Sequence, residues 1–469
     1  MKNLISRISV LAASALVIVG CEAVDPSDVV NPNLSEAALI GQPNSADAWG
    51  SGLERQMALV SQETHHIAEI VSDNYVNTQT FFNQFLDGLS IDYQDADLNA
   101  QAFDIARLRE MANYGLNEVL PNDPNGDAEN TSTFQFYLGV AHMYSAMYYR
   151  ALPGSEAGPL LSRAQHLDAA IAAFNASNAA SANVGALIGV ARCQYLKGDA
   201  TAAEAAADAA IAADAGGGHV SYINFDAQNG PTNTIQDALY DRGSFDDLQP
   251  LPTLDFLDPK YAFISAIEDS KIALLKIEEA HLIKAEARSA AGDDPGAIAV
   301  MTDVINLVAT RPTRDINDNV EQRTQRNEGS RPDSTDITVN GRAGLVLYRG
   351  GAPVTIPSIS GTSYTAGDLA GLTGDGLLTA LYHMRQEIFI GEGIRSMDMG
   401  ITFVMSENEL LLNSNVSASD VEADIPSFYS GIDVDAITYD PAARTCTVDN
   451  DINAIIVANK TSNYVCPFH

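Results

Sequence analysis

The sequence is poor in positive charge. Its 469 residues include 26 lysines and arginines against 61 aspartates and glutamates, which gives a net charge of −35 at pH 7. A surface this acidic repels phosphate backbones and anionic lipid headgroups, which excludes nucleic-acid binding and polybasic docking to membranes. Two explanations of the acidity stay open: a cationic or divalent ligand, and a solvated surface adapted to high salt. Only seven residues are lysines, and this scarcity along the whole chain favours salt adaptation.

Long apolar runs are also missing, except at the N-terminus. A positively charged start is followed by an apolar run over residues 8–19 and then by Ile18-Val19-Gly20-Cys21. The run is too short to span a membrane with flanking residues, and it is typical of a secretory signal peptide. Its end matches the bacterial lipobox, in which the cysteine thiol receives a diacylglycerol. We therefore predict a signal peptide over residues 1–20, lipid attachment at Cys21 and a flexible tether over residues 21–45.

Cysteines are few. Besides Cys21 the chain has Cys193, Cys446 and Cys466, which lack the close spacing of a metal-binding cluster. Cys193 falls in a predicted helix, where a small buried hydrophobic side chain is expected. Cys446 and Cys466 are 20 residues apart in the C-terminal tail. Because the cell envelope is oxidising, we predict a disulfide between them, which would stabilise the fold by about 3 kcal/mol.

Apolar residues recur at helical spacing through most of the chain, which predicts a mainly α fold. The predicted helices are 46–72, 101–120, 133–152, 165–180, 183–196, 200–214, 263–290, 295–310 and 377–390. Residues 215–260 and 311–375 lack this period and are interpreted as insertions of loops and short strands, and alternation over 344–348 indicates a hairpin. We predict one helical domain over residues 46–469, ending in a disulfide-stapled tail over 400–469.

Two of the predicted helix pairs share a pattern. Residues 183–214 turn at Gly198-Asp199, and residues 278–309 turn at Gly292-Asp293. Small or slender residues follow at five, nine and twelve positions after each glycine, where they let the second helix pack closely on the first. They are Ala203, Ala207 and Ala210 in one pair and Ala297, Met301 and Val304 in the other. This pattern resembles the tetratricopeptide repeat, and two such units separated by loops predict a helical scaffold with insertions.

Four stretches resemble motifs of the SusD/RagB family of outer-membrane nutrient-binding lipoproteins, and they occur in the family's order. Residues 279–287 are similar to E-x-x-L-I-x-A-E-A, and residues 385–398 are similar to R-x-E-L-A-x-E-G-x-R-x-x-D. Residues 305–308 with Arg311 are similar to L-N-x-V-R-x-R, except that Ala309 replaces the first arginine, and residues 144–150 followed by 159–163 are similar to the helix that precedes the family's P-L motif. The resemblance implies a SusD-like fold built on tetratricopeptide-like helix pairs.

The resemblance also implies a function. SusD-like proteins are lipid-anchored at the surface of the outer membrane, and they capture oligosaccharide or peptide nutrients. They act as a lid on a SusC-like TonB-dependent barrel, which performs the transport, and they catalyse no reaction. We therefore expect a surface-exposed binding protein with a small glycan or peptide ligand, a barrel partner and no catalytic residue.

Charged residues of the motifs are interpreted as structural, because the arginines neutralise the acids and so leave no protonated carboxyl for catalysis. Apolar residues on the helix before residue 390 recur on one buried face, and Gly391 and Gly393 permit a sharp turn after it. The turn would bring the charged residues together in a paired network. These structural residues are Glu279, Glu286, Arg385, Glu387, Glu392, Arg395 and Asp398.

Ligand contacts in this family come from loops inserted in the scaffold. Here the eligible loops are residues 73–99 and 311–375, and aromatic rings on them could stack on sugar C–H surfaces. The candidate ligand-binding residues are Tyr75, Phe81, Phe82, Tyr93, Tyr348 and Tyr364. The single tryptophan, Trp49, lies in a predicted helix. Its isolation weakens a polysaccharide assignment and leaves peptides and small solutes open.

Other candidate sites are weaker. His65-His66 with Glu69 does not match the HExxH zinc motif, and we expect these side chains on the surface or facing a partner. Aspartates in residues 92–97 and 122–127 make structural calcium a candidate, although the EF-hand ligand pattern is absent. No other cofactor is expected. Two rival functions remain: a tetratricopeptide-type envelope adaptor, which would need a longer repeat array, and a glycan-degrading enzyme, which would need a pair of carboxylates in a cleft.

Overall fold

The computed structural model describes residues 40–77, 83–92, 95–240, 248–257, 260, 269–316, 337–345 and 353–469. This part of the chain is mainly helical, as the periodicity predicted. Its α-helices are α1 (Ser45–Ile70), α2 (Gln84–Asp87), α3 (Ala96–Tyr114), α4 (Leu120–Asn122), α5 (Ala128–Tyr148), α6 (Arg163–Ala180), α7 (Val184–Leu196), α8 (Ala200–Ala213), α9 (Thr234–Tyr240), α10 (Ile277–Ala290), α11 (Asp294–Ala309), α12 (Ala366–Leu369), α13 (Gly374–Phe389), α14 (Arg395–Asp398), α15 (Glu407–Leu412) and α16 (Ile452–Ala458). A π-helical turn, Gly115–Val119, joins α3 to α4.

Short strands lie mostly in the predicted insertions and in the tail. They are β1 (Tyr75–Asn77), β2 (Ala151–Pro153), β3 (Leu160–Ser162), β4 (Val220–Ile223), β5 (Leu248–Pro250), β6 (Ile272–Lys276), β7 (Thr313–Ile316), β8 (Thr338–Asn340), β9 (Val354–Pro357), β10 (Ile437–Asp440) and β11 (Thr445–Val448). Four antiparallel pairs form, β1 with β5, β2 with β3, β4 with β6 and β7 with β9. In the fifth sheet β11 pairs antiparallel with β10 and parallel with β8, which ties the second insertion to the tail.

Two of the observed helices begin earlier in the chain than predicted, and their capping residues explain why. Helix α5 starts five residues earlier than predicted because Asp127 accepts hydrogen bonds from the backbone N–H groups of Glu129 and Asn130 and closes a capping box. Helix α3 likewise starts after Asp95, whose side chain accepts from two backbone N–H groups of the first turn. Such caps satisfy N–H groups that have no partner inside the helix.

One predicted helix is partly wrong. The interpretation of residues 263–290 as a single helix fails over Ile272–Lys276, which forms β6 and pairs with β4 before α10 begins. All five residues of β6 are buried, and a short apolar run of this kind fits a buried strand as well as a helix. Residues 261–268 lie outside the described chain, as do residues 346–348 of the predicted hairpin.

The two tetratricopeptide-like pairs are confirmed, as α7 with α8 and α10 with α11. Gly198 and Gly292 adopt φ angles of 73° and 78° at their turns, a left-handed conformation that glycine adopts without strain. Asp199 and Asp293 cap the second helix of each pair. The residues at five, nine and twelve positions after each glycine are fully buried, which shows the predicted close packing. Helices α5, α6, α7, α8, α10 and α11 pack in this order, each on the next.

The predicted disulfide between Cys446 and Cys466 is not formed in the structure, and the two buried cysteines have different neighbours. Cys446 lies in β11, opposite Val339 of β8 and Tyr439 of β10. Cys466 belongs to the main hydrophobic core instead, beside the Tyr382 hydroxyl of α13. Cys193 is buried in α7, as predicted.

None of the helices in the described ranges is both long and apolar enough to cross a membrane.

Candidate functional site

A pocket of about 200 Å³ opens where the two predicted ligand loops meet the tail. Asp73 at the end of α1 reaches it from the first loop, and residues 340–342 after β8 reach it from the second. Helix α13 and the segment between β11 and α16 complete the wall, and residues 251–254 add an apolar side. The lining residues are Asp73, Leu251, Thr253, Leu254, Asn340, Gly341, Arg342, His383, Gln386, Glu387, Val448, Asn450, Asp451, Ile452 and Asn453.

The floor of the pocket is a closed ring of buried polar side chains. The Arg395 guanidinium donates to the Asp73 carboxylate (Nη2 to Oδ2, 2.8 Å) and to Asn453 Oδ1 (2.8 Å). Asn453 Nδ2 donates to Gln386 Oε1 (2.7 Å), and Gln386 Nε2 returns to Asp73 Oδ2 (2.9 Å). All four residues are buried. Because each member holds the next, the ring fixes the floor in one arrangement before any ligand arrives.

Helix α13 presents one face to the pocket, since residues three and four apart lie side by side on a helix. His383, Gln386 and Glu387 occupy this face. Glu387 holds the loop beside the pocket, because its carboxylate accepts from the Thr362 hydroxyl (2.7 Å) and the Ser363 backbone N–H (2.8 Å). Burial raises the pKa of Glu387, against the lowering effect of these hydrogen bonds.

His383 and Arg342 lie at the open side of the pocket. His383 lies between the Tyr364 hydroxyl (Nδ1 to Oη, 2.9 Å) and the Asp451 carboxylate (Nε2 to Oδ1, 3.2 Å). Burial acts to raise the pKa of Asp451, but the hydrogen bond and charge of His383 outweigh it, so that the pKa is lowered. The Arg342 guanidinium stacks 3.7 Å from the centre of the Tyr364 ring and pairs with Asp368 at 2.9 Å.

Only two of the six candidate ligand-binding aromatics lie in the described ranges. Tyr75 belongs to β1 and is 1 % exposed, so its proposed role as a ligand contact is corrected: the ring is part of the core. Tyr364 supports the pocket from behind through Arg342 and His383. Phe81, Phe82, Tyr93 and Tyr348 lie outside the described residues.

The pocket also contains residues that sequence reasoning missed. The tail was predicted as a stapled segment without a site, yet Asn450, Asp451 and Asn453 line the pocket. Phe85 on α2 lies in the first predicted ligand loop and its side chain is 63 % exposed, but it does not line the pocket. No local pattern marked the tail residues.

Several motif residues form buried ion pairs, and some of the partners differ from the predicted network. Arg385 pairs with Asp398 through two hydrogen bonds of 3.0 and 2.7 Å, as the predicted network required. Arg395 pairs with Asp73 instead, and Glu392 accepts from Lys260 and Lys276 at 2.7 and 2.6 Å. The turn after α13 contains Gly391 and Gly393 with φ angles of 75° and 70°, as predicted.

Glu279 and Glu286 are buried too, but their surroundings differ. Glu279 forms a two-bond ion pair with Arg192 of α7, with both N–O distances at 2.6 Å. Glu286 has no arginine of the described chain within hydrogen-bonding distance and accepts from the Tyr382 hydroxyl at 3.3 Å. Burial raises the pKa of Glu286 to about 7, partly offset by the charge of Arg385. The motif arginines therefore do not neutralise every motif acid.

The prediction that His65 and Glu69 lie on the surface or face a partner is wrong. His65 is fully buried between the Ser61 hydroxyl (2.9 Å) and the Tyr144 hydroxyl (2.8 Å), and burial lowers its pKa to about 3. Glu69 accepts from the Gly393 backbone N–H at 2.9 Å, and burial raises its pKa to about 7. His65 therefore connects α1 to α5, and Glu69 connects α1 to the turn after α13.

The acidic loops supply no metal cluster in the ranges that the structure covers. No group of three or more histidine, cysteine, aspartate or glutamate side chains there is arranged to hold a metal ion. In residues 122–127, the Asp123 carboxylate instead accepts the backbone N–H groups of Asn44 (3.0 Å) and Ala46 (2.8 Å) at the start of α1. Residues 93 and 94 of the other loop lie outside the described chain.

Comparison with known proteins gives matches among solved structures alone. No family model matches the sequence, and no curated protein matches it. The chain is similar to a SusD superfamily protein of Bacteroides fragilis, with 14 % identity and a TM-score of 0.55 over 80 % of this chain and 99 % of that one. It is also similar to a SusD-like carbohydrate-binding protein of Bacteroides vulgatus, with 12 % identity and a TM-score of 0.50 over 77 % of this chain and 83 % of that one. At these identities the similarity establishes a shared fold.

Proposed function

The chain has the SusD-like fold, and from this premise we propose that it is a glycan-binding protein whose ligand site is the pocket between α13, the tail and residues 340–342. The observation that carries the proposal is the closed polar floor formed by Asp73, Gln386, Arg395 and Asn453. Amide and carboxylate groups held in fixed positions suit hydroxyl groups, which both donate and accept hydrogen bonds. The carbohydrate-binding structural neighbour supports the same ligand class.

The shape of the site supports binding of a short or terminal part of a glycan. The pocket volume of about 200 Å³ is below the usual range for sites that enclose a whole drug-sized ligand. Its apolar side, which includes Leu251 and Leu254, can contact the C–H face of a sugar ring.

Catalysis is not part of the proposal. Glycoside hydrolysis needs two carboxyl groups that face the scissile bond, one of them protonated. In this pocket Asp73 is bound to Arg395, and Glu387 is engaged by Ser363 and Thr362. Asp451 accepts from His383 and caps α16. Because each carboxylate already has a structural role, the arrangement favours binding over hydrolysis.

The experiment that tests the proposal is calorimetric titration with soluble oligosaccharides of six sugars, drawn from glucans, mannans and xylans. We expect saturable binding of at least one series, with no hydrolysis products after prolonged incubation. Binding of none of them, together with saturable binding of peptides of similar length, would assign the pocket to peptides and contradict the glycan proposal. Release of shorter sugars by the purified protein would contradict the assignment as a binding protein.

We further propose that the protein is lipid-anchored through Cys21, faces the cell surface and passes its ligand to a SusC-like barrel. The lipobox supports the anchor, and the SusD-like fold supports the partner. In mild detergent, the native lipoprotein should co-purify with a barrel-sized outer-membrane protein in equal amount. A Cys21→Ala variant should instead be recovered as a folded protein released from the membrane. Purification of the native protein alone under every mild condition would contradict the transport role.

A further inference from the structure

We infer that the sugar recognised in this pocket is uncharged, so that the ligand belongs to the neutral glycans and not to the uronate or sulfate-bearing ones. The inference rests on the proposed glycan-binding function and concerns the same site. It follows from the partners of the charged groups around the pocket. Four formally charged residues occur among the described lining residues: Asp73, Arg342, Glu387 and Asp451.

The positive charge nearest the open side is already engaged. Arg342 pairs with Asp368 at 2.9 Å, and its guanidinium covers the ring of Tyr364 at 3.7 Å. The Arg395 guanidinium, which belongs to the floor but does not line the pocket, is bound in turn to Asp73 and Asn453. To be neutralised by either of these two arginines, a ligand carboxylate or sulfate would therefore have to displace an existing partner. Enclosing an anion without a partner costs more free energy than its hydrogen bonds return.

The negative charges act in the same direction. Glu387 and Asp451 line the pocket and form no ion pair with an arginine or lysine of the described chain, so an anionic ligand group would lie beside carboxyl groups that neither type of side chain neutralises. The net charge of −35 adds a long-range repulsion of anionic chains. Polyanionic glycans are therefore disfavoured both on approach and on contact.

Cationic ligands gain little here. Asp73 is held by Arg395, and Glu387 accepts three hydrogen bonds from Thr362 and Ser363. The remaining carboxylate, Asp451, has a half-exposed side chain, and an amine beside it would form an ion pair that water screens strongly. Neutral hydroxyl groups, in contrast, can bind the exposed Asn340 and the half-buried Asn450 without disturbing any charge pair.

The test compares six-sugar oligomers of three charge classes on the full-length protein. The neutral class consists of glucan, mannan and xylan oligomers, the anionic class is oligogalacturonate, and the cationic class is chitosan oligosaccharide. We expect the best neutral oligomer to bind about tenfold or more tightly than the oligogalacturonate and the chitosan oligomer. The preference over oligogalacturonate should persist in 1 M NaCl, where the Debye length is about 3 Å, because it arises from contacts inside the pocket. If the preference disappears at 1 M NaCl, it comes from the net charge of the whole protein and not from the pocket, and the inference is overturned.

An Asp451→Asn variant tests the pocket directly. Asparagine caps a helix as well as aspartate does, and it still offers an oxygen to His383, so the fold should hold. Removal of this charge should lower the ratio of the affinity for neutral oligomers to the affinity for oligogalacturonate by about threefold or more. The matched control is Asp449→Asn, which removes an exposed charge two residues away. Asp449 does not line the pocket, so this variant should leave the affinity ratio unchanged.

The outcomes separate the two proposals. Tighter binding of oligogalacturonate or of the chitosan oligomer by the native protein would overturn the inference while the glycan-binding function stands. An equal effect of Asp449→Asn and Asp451→Asn would also overturn it, because the discrimination would then not come from the pocket. Failure of all oligosaccharides to bind would contradict the proposed function itself.

Discussion

Replacement of Arg192 by methionine should lower the free energy of unfolding by about 3–5 kcal/mol. Arg192 on α7 is fully buried, and its guanidinium forms two hydrogen bonds of 2.6 Å with Glu279 and a third of 3.2 Å with the Leu274 carbonyl. Methionine fills a similar volume but leaves the Glu279 carboxylate buried without a cation. The cost is that of an uncompensated charge in a medium of low polarity. Urea denaturation at fixed salt concentration measures it.

Two control variants separate charge from packing. In the double variant Arg192→Met with Glu279→Leu both charges are gone, so much of the lost stability should return, because an apolar pair can replace a buried ion pair at little cost. Lys197→Met breaks an ion pair with Asp168 at the end of the same helix. The Lys197 side chain is 32 % exposed and the Asp168 side chain is 63 % exposed. Its loss should cost less than about 1 kcal/mol. An Arg192→Met effect as small as that of Lys197→Met would contradict this account.

Arg192 also shows how far the sequence could predict the fold. Glu279 stood out as a motif residue, and the periodicity placed both α7 and α10. Its partner could not be read from the chain, because Arg192 lies 87 positions earlier and an arginine on a predicted helix is usually exposed. The tetratricopeptide-like pairs were predictable because their turns and small residues are local. Pairing between distant residues depends on packing that local patterns do not encode.

The same division applies to the site. The two insertions predicted to carry the ligand do meet at the pocket, through Asp73 and residues 340–342. Neither of the two described aromatic candidates lines the pocket, since Tyr75 is buried in the core and Tyr364 supports the pocket from behind. Burial of an aromatic ring in a loop depends on long-range packing, here the pairing of β1 with β5. The contribution of the tail to the pocket could not be predicted from the sequence either, because it depends on contacts between Asn453 and α13.

The strongest functional effect is expected from filling the pocket. Asn340 is exposed at the end of β8, and its side chain lines the pocket while donating to the Thr447 hydroxyl at 2.7 Å. Because the residue is at the surface, a change there should cost little stability. A tryptophan at this position would occupy much of the 200 Å³ available to a sugar. The Asn340→Trp variant should therefore bind the best neutral six-sugar oligomer about a hundredfold more weakly than the native protein, or not detectably.

The matched control for this variant is Thr338→Trp. Thr338 is exposed on the same face of the same strand, about 6.6 Å away at the usual rise per residue, and does not line the pocket. Both variants add the same apolar surface to β8, so any general effect on folding or solubility should appear in both. Calorimetric titration and thermal melting measure the two properties side by side. If Asn340→Trp melts like Thr338→Trp and still binds the oligomer with native affinity, the pocket is not where the glycan binds, because a blocked site cannot retain its ligand.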